Sequence, residues 1–341
     1  MNKGKVTIKD IARELGISPS TVSKALKGHP DISDTTIKSV KELVVKWNYK
    51  PDPIALSLQR GSGNTIGVIV PEIVHYFFST VIGGIEDLAY ESGYQVMFCL
   101  SNESYEREVK AAETLIGNRV EGILVSMSKV TRNTDHFRKI ADSGIPLVFF
   151  DRICEDMETD RVIVDDESGA YEATCHLIKT GCKNLIHLSG PQNLLIGKNR
   201  KNGFIRALKD HNLNVDDNNI IRCDTEDYAR NIIPGLLERK PLPDGFFAVN
   251  DLTAATTMKI VKSSGYKVPD DISIVGFTSG LISDLTDPQL TSVFQDGYSV
   301  GREAVKLLFE RLVSGNEKPP RTEVINTKLM IKGSTRIPLL V

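Results

Sequence analysis

From residue 65 onward, short runs of β-branched and other apolar residues alternate with stretches of helix length. The runs are TIGVIVP (65–71), YQVMFCL (94–100), EGILVSM (121–127), IPLVFFD (145–151), RVIVDD (161–166), NLIHLSG (184–190), FFAVND (246–251) and ISIVGFT (272–278). Between them lie helix-like segments such as 78–92, 104–118, 167–180, 199–212 and 252–264. Strands that are apolar nearly throughout, rather than at every second residue, are buried on both faces, and intervening helices supply parallel crossovers. So many units exceed one small sheet, which predicts an α/β core of two lobes, each a parallel sheet flanked by helices. In open sheets of this kind, ligands sit beyond the carboxyl ends of the strands. Polar residues gather there: Asp151-Arg152, Asp165-Asp166, Ser189-Gly190, Asn250-Asp251 and Thr278-Ser279. Two such ends facing each other form a polar cleft suited to a sugar or another small polyol-like metabolite. Tyr76, Phe77 and Phe78 follow the first strand; they either stack on a ligand ring or fill the core beneath the next helix.

Ahead of Gly61-Ser62-Gly63-Asn64, which reads as a flexible join, the period is helical instead. Residues 7–28 are TIKDIARELGISPSTVSKALKG. Ile8, Ile11, Ala12 and Leu15 fall on one helical face. Thr7 is a good N-cap, and Asp10 completes a capping-box-like pair. Gly16 ends that helix, because glycine enters the left-handed region cheaply. Ser18 caps a second helix with Pro19 in its first turn. Val22, Ala25 and Leu26 then face inward. Two short helices meeting at a glycine turn describe a helix-turn-helix, an all-α N-terminal domain. Ser20, Thr21, Ser23 and Lys24 point outward from the second helix, where hydroxyls meet phosphates or base edges and lysine reaches guanine. A third helix is predicted from Ser33 to about Trp47, with Ile37, Val40, Leu43, Val44 and Trp47 as its stripe; Trp47 packs in the core, with base stacking as its alternative.

The whole chain carries a formal charge of −2, which names no partner. The distribution says more: residues 1–62 hold eleven Lys and Arg against six acids, leaving a basic head on an acidic body. A basic head fits phosphate. The five cysteines lack CxxC spacing and are expected to be free, mostly buried thiols. The polar start of the chain lacks the apolar core of a secretory signal, and no apolar run reaches membrane-spanning length, so no membrane is expected and the cytoplasm is the expected location. The six histidines are scattered without metal-ligand spacing, so no metal or cofactor is expected.

Motifs for catalysis fail on inspection. Gly190…Gly197-Lys198-Asn199 has the wrong glycine spacing for a phosphate loop, and asparagine stands where the magnesium-binding hydroxyl belongs. Gly276-Phe277-Thr278-Ser279-Gly280 follows a strand like a nucleophile elbow but has threonine in the nucleophile's place and no base nearby. No enzyme is expected.

The run T-I-K-D-I-A-R-E-L-G-I-S-P-S-T-V-S-K-A-L, with Asn48-Tyr49-Lys50-Pro51 further on, resembles the head of the lactose/galactose repressor family. The likeness extends over essentially the whole chain, to Leu329-Met330-Ile331-Lys332-Gly333-Ser334-Thr335, and its core is similar to periplasmic sugar-binding proteins. It implies that Pro19, Ser20 and Lys24 choose operator bases while Thr21 and Ser23 contact the backbone. Thr7, Ser18, Asn48, Tyr49 and Ala55 complete the expected DNA-facing set. Residues 53–60 would form a hinge helix, with Leu58 either wedged into the minor groove beside its dimer mate or packed as an ordinary linker leucine. Gly190-Pro191, Arg200 and Gly203-Phe204 match the motif in which that arginine grips the effector; an interlobe salt bridge is its alternative. The resemblance also places Asp151, with Arg152 adjacent, Asn250 and Gln295 at the cleft, where Phe77, Phe78 and Thr278 are expected from their positions after strands. The family's acid after Gly-Phe is missing at Thr278-Ser279, which points toward a less polar or an acidic ligand, such as a phosphorylated or carboxylated one.

The expected organisation is a DNA-binding domain (1–49), a hinge and linker (50–63) and an effector-binding core (64–341). Lobe one is expected at about 64–161 and 293–325, lobe two at about 162–292 and 326–341. The expected function is a repressor, regulated by a small metabolite, most simply a carbohydrate, and binding a palindromic operator on double-stranded DNA as a homodimer. Segments 78–92 and 104–118 resemble the family's dimer surface, and no C-terminal tetramerising heptad is expected.

Overall fold

A computed structural model describes residues 6–26, 28–47, 49, 63–315 and 318–337. The chain divides into two compact units at Asn64–Thr65. Three expected DNA-facing or hinge positions, Asn48, Ala55 and Leu58, lie outside the described residues, as does nearly all of the expected hinge segment.

In the first unit, α1 (Ile8–Leu15), α2 (Pro19–Leu26) and α3 (Asp34–Lys46) follow the predicted bounds closely. Thr7 donates through both its N–H (3.0 Å) and its hydroxyl (2.6 Å) to the Asp10 carboxylate. Those bonds hold the Asp10 carboxyl below its ordinary value. Gly16 has φ 63°, the left-handed turn that breaks α1 from α2. Ser18 Oγ accepts the Thr21 N–H (3.0 Å) and so caps α2. Ile11, Ala12, Val22, Ala25, Val40 and Leu43 form the small core, and half-buried Trp47 packs against it.

The second unit contains two six-stranded sheets. The first comprises β1 (Thr65–Val70), β2 (Gln95–Leu100), β3 (Gly122–Val125), β4 (Leu147–Phe150), β5 (Asp160–Val164) and β11 (Thr322–Ile325), in the order β11-β5-β4-β3-β1-β2. Every pairing in it is parallel. The second comprises β6 (Leu185–Ser189), β7 (Ile220–Arg222), β8 (Gly245–Ala248), β9 (Ser273–Thr278), β10 (Thr291–Phe294) and β12 (Lys328–Met330), in the order β12-β10-β9-β8-β6-β7. Only its β10–β12 pair is antiparallel.

Helices α4 (Tyr76–Glu91), α5 (Tyr105–Gly117), α6 (Asp135–Asp142) and α12 (Gly297–Ser314) cover the first sheet. Helices α7 (Asp166–Lys179), α8 (Leu195–Asp210), α9 (Glu226–Leu237) and α10 (Asp251–Ser263) cover the second, and a short α11 (Leu281–Leu285) follows β9. Each sheet therefore has an apolar layer on both faces, as its nearly continuous apolar strands require. One helix pair approaches at two glycines. A Cβ on Gly84 would lie 2.1 Å from the Tyr298 carbonyl oxygen, and one on Gly301 2.2 Å from that of Val81, so α4 and α12 touch backbone to backbone.

The chain passes between the sheets three times: after β5, after β10 and between β11 and β12. The first passage falls after Val164 instead of at 161, because Asp160–Val164 pairs with β4 and β11. The second falls after Phe294, because Thr291–Phe294 pairs with β9. Strand ends with polar residues, such as Asp160, do not announce themselves by hydropathy.

Candidate functional site

Both sheets reverse their winding at one point: between β1 and β3 in the first, between β6 and β8 in the second. Loops leaving opposite sides of such a point leave a crevice outside the carboxyl ends. Here the two crevices share one cavity of about 300 Å³. The segments after β1, β3 and β4 supply Glu72, His75, Tyr76, Phe77, Phe78, Lys129, Asp151 and Arg152 to its wall. Segments from the second sheet supply Pro191, Leu194, Arg200, Asp224, Asn250, Asp251, Thr278 and Gln295. All the residues expected at the cleft (Phe77, Phe78, Asp151, Arg152, Arg200, Asn250, Thr278 and Gln295) are in this wall.

Arg200 projects from α8 and is 5% exposed. Its Nε lies 2.8 Å and its Nη2 2.7 Å from Oδ1 of Asp166. Its Nη1 donates to the carbonyl of Val249, and its guanidinium carbon sits 3.7 Å above the centre of the Phe277 ring. Asp166 opens α7, which packs with α8 against the second sheet, so this buried pair lies within one lobe and does not bridge the two. Burial raises the Asp166 carboxyl, and the arginine opposes that rise.

Asp151 stands at the end of β4 in the left-handed region, φ 58°, a conformation aspartate tolerates better than most residues. It is 5% exposed, and its partners are distant: Ser126 Oγ at 3.5 Å and Arg152 Nε at 3.8 Å. Burial pushes its carboxyl up to about 6, against the pull of Arg152. Arg152 itself is held by Glu103 at 2.6 Å, with its guanidinium 5.5 Å from the Phe78 ring centre.

Asn250 caps α10, accepting the Thr253 N–H at 2.8 Å, and donates to the Asp224 carbonyl at 3.1 Å. Asp251 accepts from Ser292 and from the Gly280 N–H (3.0 Å), and burial raises its carboxyl. Thr278 and Ser279 both have positive φ, 131° and 53°. This strained corner aims Thr278 at Gln295 Oε1 (3.3 Å). Gln295 is 5% exposed, and neither its Nε2 nor the buried Nε of Arg152 has a hydrogen-bond partner, so the cavity wall holds two unspent donors as well as the loosely bonded Asp151 acceptor.

Sequence reasoning missed Glu72, His75, Lys129, Asp224 and the Glu103 counter-ion, and it placed Asp166 at a strand end without pairing it with Arg200. The missed residues come from loops, where polarity has no period to reveal it. Each cation of the wall has its acid: Lys129 with Asp224 at 3.2 Å, Arg152 with Glu103 and Arg200 with Asp166. His75 meets Glu72 at 2.8 Å.

The expected DNA-facing residues lie on the separate head. Pro19, Ser20 and Lys24 are exposed on α2, Thr21 and Ser23 half-buried beside them. Ser18 Oγ lies 2.7 Å from Ser20 Oγ and 2.8 Å from Thr21 Oγ1, a chain of hydroxyls along the start of the helix. Lys24 Nζ lies 3.4 Å from Asp31, an exposed and readily exchanged partner. Thr7 is exposed and Tyr49 half-buried.

Among the described residues, no cluster of His, Cys, Asp and Glu has metal-holding geometry, and no helix is long and apolar enough to cross a membrane. His187, in the core of β6, is stacked on Phe204 and Phe247, and burial lowers it to about 4.

Residues 7–52 match the family profile described as bacterial regulatory proteins, lacI family, and residues 174–335 match the periplasmic binding protein-like domain. The HTH-type transcriptional repressor PurR of Vibrio campbellii is 32% identical over 336 residues, covering 97% of this chain and 98% of that protein. The solved transcriptional regulator CelR–cellobiose complex is similar with a TM-score of 0.74 and 26% identity, over 97% of this chain and all of that one. The lac repressor dimer bound to operator and the anti-inducer ONPF has a TM-score of 0.84 over 98% of this chain and all of that one; at 21% identity it speaks to the fold.

Proposed function

This chain belongs to the lacI family of bacterial regulatory proteins, and on that premise we propose that it represses transcription from a palindromic operator as a homodimer, under the control of an uncharged sugar in the interlobe cavity. It is a regulator and not an enzyme, in line with its repressor relatives. One short recognition helix meets few bases, so two heads on two half-sites are the reading's natural geometry. The observation that carries the ligand assignment is the cavity wall itself: paired phenylalanines, the amide of Asn250, and three under-used buried polar groups, Asp151, Arg152 Nε and Gln295 Nε2. Aromatic faces with a few convergent donors and acceptors suit a ring carrying hydroxyls. The wall's cations each have an acid within the protein, which favours an uncharged ligand over the acidic one suggested by the missing acid at Thr278-Ser279. The head reads DNA through α2, and in this reading Ser20, Lys24 and Pro19 meet base edges. The cytoplasm is the proposed location, because the operator is there.

The experiment is a calorimetric titration of the full chain with a panel of mono- and disaccharides, followed by operator binding with and without each sugar that binds. A coupling of about 1–3 kcal/mol changes operator affinity roughly 5- to 150-fold. A sugar that binds stoichiometrically yet leaves operator affinity unchanged defeats the regulatory reading.

Two further outcomes are expected. Lys24→Ala should relax base preference at one position per half-site by about 1–3 kcal/mol, measured by competition among operator variants. Sugar binding should depend on the ionisation of Asp151, whose carboxyl sits near 6. A hydroxyl donates to the carboxylate and not to the acid, so affinity should be about tenfold weaker at pH 5 than at pH 7. Folding stability moves oppositely. The folded carboxyl is raised from 3.8, so its contribution is fully present below that pH and is lost as pH climbs through about 6. Asp151→Asn should flatten both profiles.

A further inference from the structure

The cavity rim contains a polar arrangement that joins the two lobes. Lys129 lies on the segment after β3, in the first lobe, and its Nζ reaches Asp224, after β7 in the second, at 3.2 Å. The lysine side chain is 25% exposed and the aspartate 7%, so solvent screens the pair only in part. The segment carrying Lys129 is bonded twice more. Its carbonyl accepts from Asn193 Nδ2 of the second lobe at 3.1 Å, and its N–H donates to Glu103 Oε2 at 2.7 Å. The other Glu103 oxygen takes Arg152 at 2.6 Å, so one carboxylate anchors both cavity cations of the first lobe. Glu103 and Asn102 before it have φ 54° and 49°. Two successive non-glycine residues in that region are strained and persist only where the surroundings hold them. On the opposite lip, the Asp224 carbonyl accepts from Asn250 Nδ2, and its carboxylate also meets exposed Arg222 at 3.4 Å. Glu72, in the cavity wall, adds negative potential near Lys129. Farther along the lips, exposed Lys198 and Glu155 meet at 2.7 Å.

We infer that Lys129 and Asp224 form an electrostatic clasp between the lobes, anchored by Glu103 on one lip and tied to Asn250 on the other, which favours the closed cleft before any ligand enters. Opening the cleft separates the charges and also breaks the Asn193–Lys129 bond, so the lips part together. A protein already biased toward closure needs less differential affinity from its ligand to populate that state. The purpose of the clasp rests on the ligand-sensing reading; its existence does not.

Hydrogen–deuterium exchange on the full chain, without ligand or DNA, tests it. Lys129→Met leaves Asp224 with Arg222 as partner, and Asp224→Asn keeps the side chain's shape. Each is expected to speed exchange roughly tenfold in both lips, residues 126–132 of the first lobe and 190–196 with 222–226 of the second. The double variant should exchange no faster than either single one, because the shared interaction is lost once. An unchanged thermal midpoint separates opening from global loosening. Exchange that quickens in one lip alone, adds in the double variant, or stays unchanged in both single variants overturns the clasp. Because no sugar enters the measurement, such a failure leaves the sensing reading standing, and a failed sugar titration leaves the clasp standing.

Discussion

Arg200→Ala is expected to destabilise the core by about 3–5 kcal/mol and to abolish any response to ligand. The size follows from what remains. Asp166 is 2% exposed, and its carboxylate takes both Nε and Nη2 of Arg200. With the guanidinium gone, a buried carboxylate keeps its desolvation cost without its counter-charge, the Val249 carbonyl loses a donor, and the Phe277 ring loses the plane stacked on it. Lysine is a poor substitute, since a point charge neither brings two N–H donors to one carboxylate oxygen with a third to the Val249 carbonyl nor stacks on the ring. Removing both charges, as in Asp166→Asn with Arg200→Met, should recover a substantial part of the loss. Chemical denaturation of the three variants checks this; equal losses in the single and double variants would show that the pair contributes nothing as a pair.

The second large effect concerns α4 and α12. Gly301→Val should cost about 3 kcal/mol or more, because its Cβ would sit 2.2 Å from the Val81 carbonyl oxygen and 2.9 Å from the Ile85 nitrogen, backbone atoms that cannot rotate away. Gly84→Ala meets the Tyr298 carbonyl at 2.1 Å and should behave alike. Its neighbour in the same helix is the control: Gly83 has open space around a new Cβ, so Gly83→Ala should stabilise by about 0.5–1 kcal/mol through helix propensity alone. Thermal midpoints for the three variants should therefore split in sign between adjacent residues.

Much of this architecture is readable from residues alone, for physical reasons that differ by region. The head is legible because each boundary is written locally: Thr7 with Asp10, Gly16, and Ser18 before Pro19 all act within a few residues of themselves. The two sheets are legible because burial on both faces leaves nearly unbroken apolar runs. The cavity residues follow from where such strands end, and Asp151, Asn250 and Thr278 stand at those ends. What stays hidden is pairing at long range. Nothing near Lys129 announces Asp224, and nothing near Arg152 announces Glu103, since a salt bridge between loops has no period and no cap. The short strands β7 and β12 hide for a related reason: three residues at a sheet edge are too few to show alternation or a continuous run.

The triple passage between sheets also governs the order in which the protein becomes a protein. By Val164 the ribosome has delivered β1 to β5, yet the outer neighbour of β5 is β11, and α12, which packs over β3, β4 and β5, comes late as well. Roughly 160 further residues separate the two events, on the order of ten to thirty seconds of synthesis at bacterial rates. Through that interval a nearly finished parallel sheet waits with a bare edge and an uncovered apolar face, while the lobe encoded in the middle of the chain is made. Nascent chains stalled between residues 165 and 320 are thus the species that chaperones should hold most tightly.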